Sequence, residues 1–268
     1  FIIVGHNFGD TPAGSSRVDT LPGLANRVKT KLHIKNPHCI VHDVISGCPG
    51  WTQAMIIADA YIKSQMFKRG VVVGADILSR ISDPYDRDSM IYADGAAATI
   101  VEAIESDVPT GILSHTSRSD VGATTGYLAF GPSFNPDADQ NELFIKMAGH
   151  KVYVYALSHV PSLVKQSIDE AGLHLTDIKK VLIHQANEKM DEAILKGVFK
   201  LYGETEIPEG IMPMSIRFLG NSSTATVPTL LDLVLKGKMD GQQINPGDCI
   251  VLASVGAGMN INSIVYKF

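Results

Sequence analysis

Short apolar runs alternate along the chain with long amphipathic stretches, and this alternation constrains the fold more than any other feature. The runs have the length of strands and are bounded by Gly, Asp or Pro, whereas the longer stretches repeat apolar residues at helical spacing. Such an alternation is typical of α/β proteins, in which helices cover a largely parallel sheet. The predicted strands are residues 1–4, 39–44, 70–73, 97–102, 180–183, 249–253 and 262–266. The predicted helices are residues 50–66, 152–171, 188–201 and 224–238.

Composition excludes several classes of function. The chain has 268 residues, 45% of them hydrophobic and 19% charged, which is ordinary for a globular protein. Its net charge is −5 and it has no long run of Lys and Arg, so we expect no nucleic-acid partner, because neutralising phosphates needs a basic face. No apolar stretch approaches the roughly 18 residues that cross a bilayer, so we expect no membrane partner. The three scattered cysteines predict neither disulfides nor a metal site and favour a cytoplasmic, reducing location.

The two halves of the sequence resemble each other. An apolar strand ends in His6-Asn7 in the first half and in His184-Gln185 in the second half. Each half continues with a turn, a helix and a very apolar strand. Residues 114–141 are rich in Gly, Ser, Thr, Asp and Pro and predict a long connection, so we divide the chain into halves at residues 1–145 and 146–268. The general likeness of all βα units is an alternative explanation of the match.

The beginning of the chain departs from this duplication. Phe1 already opens a buried-strand run, whereas the second half has a strand-containing segment and a helix before its polar-ended strand. We therefore expect the first half to be incomplete at its start, by roughly 60 residues or more.

Cys48 is the sharpest candidate nucleophile. It lies between an apolar strand and an amphipathic helix, and Pro49 after it suits the first helical position. A thiol there meets free backbone N–H groups and the positive end of the helix dipole, so we expect the pKa of the Cys48 thiol to be lowered. The alternative is a buried cysteine that acts as a small hydrophobe, and local context leaves both open. Cys39 and Cys249 lie in apolar strand runs and are interpreted as structural.

Two polar residues of the second half are further candidates. His184 ends a buried-strand run, and the carboxyl ends of strands in open α/β sheets are where ligands bind. A structural histidine remains an alternative. Asn221 lies in a Gly-Asn-Ser-Ser segment before a predicted helix, where its own context favours a helix N-cap over a catalytic role.

A glycine-bearing loop, Val255-Gly256-Ala257-Gly258, follows the most apolar strand. It lacks the GxGxxG pattern and the following helix of a dinucleotide site, so we exclude that function. Small residues allow backbone N–H groups to approach a ligand closely, which is what an oxyanion hole requires.

Together these segments resemble the 3-oxoacyl-[acyl-carrier-protein] synthase III family of the thiolase superfamily. The resemblance covers nearly the whole chain in order and is carried by the segments around Cys48, residues 75–80, residues 86–97, Met147-Ala148-Gly149, residues 184–187, residues 220–225 and residues 256–258. It implies a thiolase-like α/β fold with two similar halves in a layered αβαβα arrangement, and a homodimer.

The resemblance also implies a reaction. Cys48 would take an acyl group from a coenzyme A thioester, and His184 and Asn221 would stabilise the enolate formed as malonyl-ACP loses carbon dioxide. The carbanion would attack acyl-Cys48, with the backbone N–H groups of Cys48 and Ala257 at the oxyanion. This chemistry would start fatty acid synthesis, with thioester substrates, acyl carrier protein (ACP) as partner and no cofactor.

Further residues are implied at the entrance. The expected contacts with coenzyme A and the acyl group are Arg87, Tyr92, His150, Tyr153 and Asn187. The expected ACP docking residues are Lys189 and Lys196, which share a helix face two turns apart. Acyl carrier proteins are strongly acidic, so a basic patch would attract them. For Arg87 and the two lysines, ordinary solvated surface charge is the alternative.

Some residues depart from the family pattern, and rival functions follow. Pro49, Trp51 and Met259 replace usual family residues, which leaves the size of the acyl pocket open.

A biosynthetic thiolase would need a cysteine in the final glycine loop, and a hydroxymethylglutaryl-CoA synthase would need a glutamate near Cys48; neither is present. A condensing or acyl-transferring enzyme of secondary metabolism remains open. A non-catalytic partner subunit is the alternative from another class, against which the intact Cys, His and Asn argue.

Overall fold

The computed structural model describes residues 1–15 and 17–268. The strands are β1 (Ile2–His6), β2 (Val41–Ile45), β3 (Arg69–Ile77), β4 (Asp94–Glu102), β5 (Gly111–Ser119), β6 (Leu128–Pro132), β7 (Leu143–Met147), β8 (Ile178–Ile183), β9 (Cys249–Gly256) and β10 (Asn260–Lys267). The α-helices are α1 (Leu24–Lys31), α2 (Gly50–Lys63), α3 (Gly149–Glu170), α4 (Glu188–Leu201), α5 (Ile216–Leu219) and α6 (Thr226–Leu235). Single 3₁₀ turns are Leu78–Arg80, Arg87–Ile91, Leu175–Asp177 and Ser223–Ala225.

Two four-stranded sheets form the framework. The first has the order β2-β1-β3-β4, in which β1 is parallel to β2 and β3, and β4 is antiparallel to β3. The second has the order β5-β10-β9-β8, in which β8 is parallel to β9, and β10 is antiparallel to both its neighbours. Strands β1, β3 and β4 therefore match β8, β9 and β10 in direction and neighbours, as the similarity of the two halves predicts.

The helices and sheets alternate in five layers. Helices α2 and α6 lie between the sheets, where Trp51 and Leu230 pack with apolar residues of both. Helix α1 covers the outer face of the first sheet through Ala25. Helices α3 and α4 cover the outer face of the second sheet, with Val164 and Ile194 fully buried. The predicted αβαβα fold is confirmed.

Long-range contacts explain the elements that the sequence did not predict. Helix α1 has its first N–H groups, those of Leu24 and Ala25, bound to the Asp43 carboxylate at 2.7 Å each. This partner is remote in sequence, so no local cap signals the helix. The predicted strand begins at Cys39, but Cys39 lies outside β2, because its N–H closes a turn to the carbonyl of Asn36 and β2 begins only at Val41.

The predicted connection at 114–141 contains ordered strands. Strand β5 pairs with β10 of the second sheet, and β6 pairs with β7 in a separate hairpin. Ser114 and Thr116 of β5 are polar, but their hydroxyls donate to the carbonyls of Ser167 and Leu163 in α3. Because these polar residues have hydrogen-bond partners, they can lie in a strand that packs on α3, but they break the apolar pattern by which a strand is predicted. Strand β5 thus precedes the predicted boundary at 145/146 but pairs within the second sheet, and the division into halves stays a prediction.

Other bounds shift only at their ends. Helix α4 has the predicted bounds, whereas α3 begins three residues earlier than expected and α6 is shorter at both ends. Across residues 1–15 and 17–268, no helix combines the length and apolar character that crossing a membrane requires.

Candidate active site

A cavity of about 560 Å³ opens at the carboxyl ends of strands from both sheets. It brings together three predicted catalytic residues that are far apart in sequence: Cys48 after β2, His184 after β8, and Asn221 before α6. The further predicted site residues in its lining are Arg87, Tyr92, Tyr153, Asn187 and Ala257. The position agrees with the place where α/β sheets bind ligands.

Two glycines allow the backbone of Cys48 to touch the β9–β10 loop. A Cβ atom on Gly256 would lie 2.6 Å from the Cys48 nitrogen, and one on Gly47 would lie 2.7 Å from the Ala257 nitrogen. Gly47 also has a φ of +63°, which disfavours any other residue. These close approaches bring the backbone segments of Cys48 and Ala257 into contact at the cavity, which is the proximity that the predicted oxyanion hole requires.

The acidity of Cys48 differs from the prediction. Burial raises the pKa of the Cys48 thiol to about 12, although a hydrogen bond from Ser223 acts in the opposite direction. Pro49 directly precedes α2, so the helix start is where the sequence predicts it within one residue. The expected lowering is therefore wrong for the structure, because removing the thiolate from water outweighs the favourable helix end.

His184 is held as a neutral ring at the end of the second sheet. It is 1% exposed, and burial lowers the pKa of its imidazole to about 4. Its Nδ1 lies 2.6 Å from Oγ1 of Thr226, and its backbone N–H donates to Ala253 in β9. At neutral pH the ring can offer one hydrogen-bond donor without carrying charge.

Asn221 is not the N-cap that its own context favours. Helix α6 begins at Thr226 with Ala225 as its N-cap, whereas the Oδ1 atom of Asn221 accepts a 2.9 Å hydrogen bond from the Ser223 N–H. The backbone of Asn221 is held by Ile91 and Ala93 on either side of a bridge to Tyr92. Since Oδ1 is engaged, Nδ2 is the group that Asn221 can offer to a ligand in the cavity.

Asn7, Asp76 and Ser223 also belong to the site, although sequence reasoning did not select them. Ser223 donates to the sulfur of Cys48 at 3.3 Å, and Asn7 connects Ser223 to the buried carboxylate of Asp76. Asn7 follows a polar-ended strand and Asp76 ends a very apolar one, which is the same signal that identifies His184.

The predicted entrance residues occupy different positions. Arg87 is exposed in its 3₁₀ turn at the rim of the cavity, and Tyr92 is partly buried, which raises its pKa. Asn187 lines the cavity and accepts from the Met190 N–H at the start of α4. Tyr153 lines the cavity from α3, whereas His150 is exposed in the same helix and does not contribute to the lining.

The hairpin β6–β7 forms one wall of the cavity through Leu128, Phe130, Ile145 and Met147. The fully buried Asp83 anchors it by accepting hydrogen bonds from the Phe134 N–H at 2.8 Å, from Ser133 and from Lys146. The segment at 114–141, predicted as a long connection with room for strand pieces, thus contributes to the wall of the pocket.

The predicted docking lysines lie on the outer face of α4. Lys189 and Lys196 are both exposed. Of the acidic residues nearby, Glu188 is paired with Arg217 at 2.9 Å, and burial raises the pKa of Asp191 well above its usual value. Glu192 is the acidic side chain that remains exposed on this face.

The chain matches two family models. One, described as 3-oxoacyl-[acyl-carrier-protein] synthase III, matches residues 42–120, and the C-terminal model of the same name matches residues 168–268.

Proteins of the same name are similar over almost all of this chain. The beta-ketoacyl-[acyl-carrier-protein] synthase III 1 of Vibrio vulnificus is 33% identical over 258 residues, or 96% of this chain and 75% of that protein. The synthase III of Shigella dysenteriae is 30% identical over 257 residues, again 96% and 75%. The chain thus spans about three quarters of the length of these relatives.

Solved structures agree. The synthase III of Thermus thermophilus has a TM-score of 0.81 at 25% identity, covering 100% of this chain and 76% of that one. The corresponding structure from Pseudomonas aeruginosa, at 21% identity, has a TM-score of 0.82 over 100% of this chain and 76% of that one, and shows the fold alone. The shared fold, the matched models and the relatives that are at least 30% identical lead to one conclusion: this chain belongs to the 3-oxoacyl-[acyl-carrier-protein] synthase III family.

Proposed function

We propose that this protein is an acyltransferase that condenses an acyl-CoA starter with malonyl-ACP, releasing carbon dioxide and forming 3-oxoacyl-ACP at the start of fatty acid synthesis. The observation that carries the proposal is the single cavity in which Cys48, His184 and Asn221 meet. The names of the relatives, beta-ketoacyl-[acyl-carrier-protein] synthase III, support the same reaction.

In the first step the sulfur of Cys48 attacks the acyl-CoA carbonyl. The new C–S bond replaces the bond to coenzyme A, which leaves as its thiol with the proton that Cys48 loses. The tetrahedral oxyanion lies against the backbone N–H groups of Cys48 and Ala257, whose close approach is enforced by Gly47 and Gly256. The product of this half-reaction is acyl-Cys48.

In the second step His184 and Asn221 bind the malonyl thioester oxygen. The bond to the malonyl carboxylate breaks, carbon dioxide leaves, and the electron pair enters an enolate that both side chains stabilise by donating hydrogen bonds. The enolate carbon attacks acyl-Cys48, whose sulfur departs and takes up one proton from water. Neutral donors suit this step, since they stabilise the developing charge without forming a fixed ion pair with the substrate carboxylate.

Thr226 controls which nitrogen of His184 carries the proton. Its Oγ1 atom lies 2.6 Å from Nδ1 of His184 and 2.9 Å from the carbonyl oxygen of Ser223, and its one proton serves one of them. The proposed role of His184 requires Thr226 to donate to Nδ1 rather than to the Ser223 carbonyl oxygen, because the ring proton is then on Nε2 and can be donated to an enolate oxygen.

The substrates define the partners that we propose. Arg87 and Asn187 at the rim support a binding role for coenzyme A, and Tyr92 and Tyr153 support contact with the pantetheine and acyl groups. His150 belongs to this group only through the family resemblance. The chemistry is balanced without a cofactor, and a homodimer in the cytoplasm completes the proposal.

The proposed reaction is tested by its two half-reactions. The purified protein is incubated with a panel of acyl-CoA thioesters and its intact mass is measured; malonyl-ACP or malonyl-CoA is then added, and product and carbon dioxide are measured. We expect a mass increase equal to one acyl group, followed by 3-oxoacyl-ACP formation. Acylation without any decarboxylation on either malonyl carrier would contradict the proposal, and the panel identifies the starter.

Docking of the carrier protein is tested by reversing charge on α4. We expect Lys189→Glu combined with Lys196→Glu to slow turnover of malonyl-ACP at low salt and to spare acylation by acyl-CoA, because the carrier is acidic and its approach is steered electrostatically. Added salt should reduce the difference. Lys31→Glu with Lys35→Glu is the matched control with the same change in charge; both sites are exposed, Lys31 at the end of α1 and Lys35 after it. Equal malonyl-ACP kinetics in both double variants would contradict the docking site.

A further inference from the structure

The thiol of Cys48 receives a hydrogen bond from the other half of the protein. The hydroxyl of Ser223 lies 3.3 Å from Sγ of Cys48, although the two residues are 175 positions apart in sequence. Both residues line the active-site cavity. The contact therefore joins the nucleophile of the first half to the segment that carries Asn221.

The direction of this hydrogen bond is determined by Asn7. Nδ2 of Asn7 donates to Oγ of Ser223 at 2.6 Å, so the single proton of the serine hydroxyl remains for the sulfur. The second proton of Nδ2 goes to Oδ2 of Asp76 at 2.7 Å, and the backbone N–H of Asn7 goes to Oδ1 at 2.9 Å. A flipped Asn7 amide would place its oxygen against the Asp76 oxygen, so the carboxylate fixes the orientation of the amide.

The backbone of Ser223 points to a functional reason for the hydroxyl. Its φ is +53°, in the left-handed region that disfavours residues other than glycine. The conformation is maintained by the bond from its N–H to Oδ1 of Asn221. Glycine would adopt it more readily, so the hydroxyl is what a serine adds at this position.

We propose that Ser223 is a catalytic residue that stabilises the Cys48 thiolate by hydrogen bonding, and that Asn7, anchored by Asp76, is the positioning residue that directs the Ser223 hydroxyl to the sulfur. The inference rests on the proposed function only in taking Cys48 as the nucleophile. Ser223 keeps its proton throughout. The same bond assists the sulfur twice, as it attacks acyl-CoA and as it leaves acyl-Cys48.

The surroundings of Cys48 disfavour its thiolate form, and the proposed Ser223 hydrogen bond opposes this effect. Burial and the nearby Asp76 carboxylate both raise the pKa of Cys48, and the Ser223 hydrogen bond lowers it. A hydrogen bond to a charged group changes an equilibrium by roughly tenfold to a hundredfold. Loss of the Ser223 hydroxyl should therefore raise the pKa of Cys48 by about 1 to 2.

The test measures the rate constant for alkylation of Cys48 by iodoacetamide between about pH 7 and 9, below the pKa of the thiol, where the rate at each pH is proportional to the thiolate fraction. The alkylation is read by mass spectrometry of the peptide that contains Cys48. This probe needs neither acyl-CoA nor a carrier protein, so its outcome is independent of the proposed reaction. Cys39, a partly buried free thiol in the same molecule, is the internal reference. The variants are Ser223→Gly, Ser223→Ala, Asn7→Ala and the double variant with Ser223→Ala.

We expect each single variant to move the Cys48 profile to higher pH while leaving Cys39 unchanged. Ser223→Gly distinguishes loss of the hydroxyl from loss of stability. Its thermal unfolding midpoint should be at or above that of Ser223→Ala, because glycine tolerates the φ of this position. Cys48 should nevertheless be as unreactive in Ser223→Gly as in Ser223→Ala. Adding Asn7→Ala to Ser223→Ala should cause no further change, since Asn7 acts through the hydroxyl.

Thr224→Val is the matched control. Thr224 also donates to the Asp76 carboxylate, at 2.8 Å, but this branch does not reach Cys48, so the profile should follow that of the unaltered protein. An unchanged Cys48 profile in folded Ser223→Gly would overturn the role of Ser223. Additive effects of Asn7→Ala and Ser223→Ala would overturn the positioning role of Asn7.

Discussion

The two halves place their functional residues on similar turns that lead to different chemistry. In residues 47–50 and 220–223 a glycine with positive φ, Gly47 at +63° or Gly220 at +69°, precedes the functional residue, Cys48 or Asn221. After Cys48, helix α2 begins within two residues. After Asn221, the 3₁₀ turn at Ser223–Ala225 intervenes before α6.

Because α6 begins farther from Asn221 than α2 does from Cys48, the two turns present different chemical groups to the cavity. The turn at 47–50 presents one side chain, a thiol, together with a backbone N–H. The turn at 220–223 closes on itself through Asn221 and presents an amide and a hydroxyl as donors. Two similar turns thus present a nucleophile in one half and hydrogen-bond donors in the other, and they differ in how the following helix starts. Variants in each half test whether acylation depends on the first turn and decarboxylation on the second.

The largest effect is expected for the nucleophile. Cys48→Ala should abolish acyl-enzyme formation, because Cys48 is the only cysteine among the described residues that line the cavity. The methionine thioethers of the lining cannot form a neutral thioester. The measurement is intact mass after incubation with acyl-CoA. Cys39→Ala is the control and should acylate normally; covalent labelling of Cys48→Ala would contradict the assignment.

The next largest effect is expected for His184, in the second half. His184→Ala should retain acylation but slow decarboxylation by a factor on the order of 100 or more, as expected for the loss of one donor to an oxyanion. Burial lowers the pKa of His184 to about 4, so the ring is neutral at and above about pH 6 and its protonation should cause no change in decarboxylation rate between about pH 6 and 8. Undiminished carbon dioxide release by the variant would make His184 structural.

A smaller effect is expected at the rim. Arg87→Ala should raise the KM for acyl-CoA about two- to fivefold with little change in kcat, if its guanidinium stacks on the adenine ring at an exposed site. Initial rates over a range of acyl-CoA concentrations measure both constants. Arg69→Ala, which removes an exposed arginine paired with Glu102, is the control, and an Arg87 variant with the same KM as this control would leave Arg87 as a solvated charge.

Elements buried on both faces were the most predictable. All residues of β9 are buried, so its sequence is a continuous apolar run and its position was evident. Helix α4 combines an Asn187 cap with strong amphipathic periodicity, and its predicted bounds agree with the structure. Strand β8 is buried at all but one residue, so His184, which directly follows it, could also be placed near the ligand site.

What depends on remote contacts could not be predicted. The Asp43 contacts that start α1 and the hydroxyl contacts that bury β5 join residues distant in sequence. The same holds for the hydrogen bond between Ser223 and Cys48, and for the crowding that raises the pKa of the thiol. Local sequence indicated a helix start at Cys48, but not how much protein surrounds its sulfur.

The most direct test of the two-half account is the fate of acyl-Cys48 in Asn221→Ala. The variant is first acylated with acyl-CoA, freed of excess thioester and then mixed with malonyl-ACP, while intact mass is followed over time. The account predicts that the acyl mass still appears, more slowly than in the unaltered protein because Oδ1 of Asn221 no longer holds Ser223, and then persists, because the enolate has lost a donor. Discharge of the acyl group at the unaltered rate would contradict it and leave Asn221 as a residue that shapes the turn.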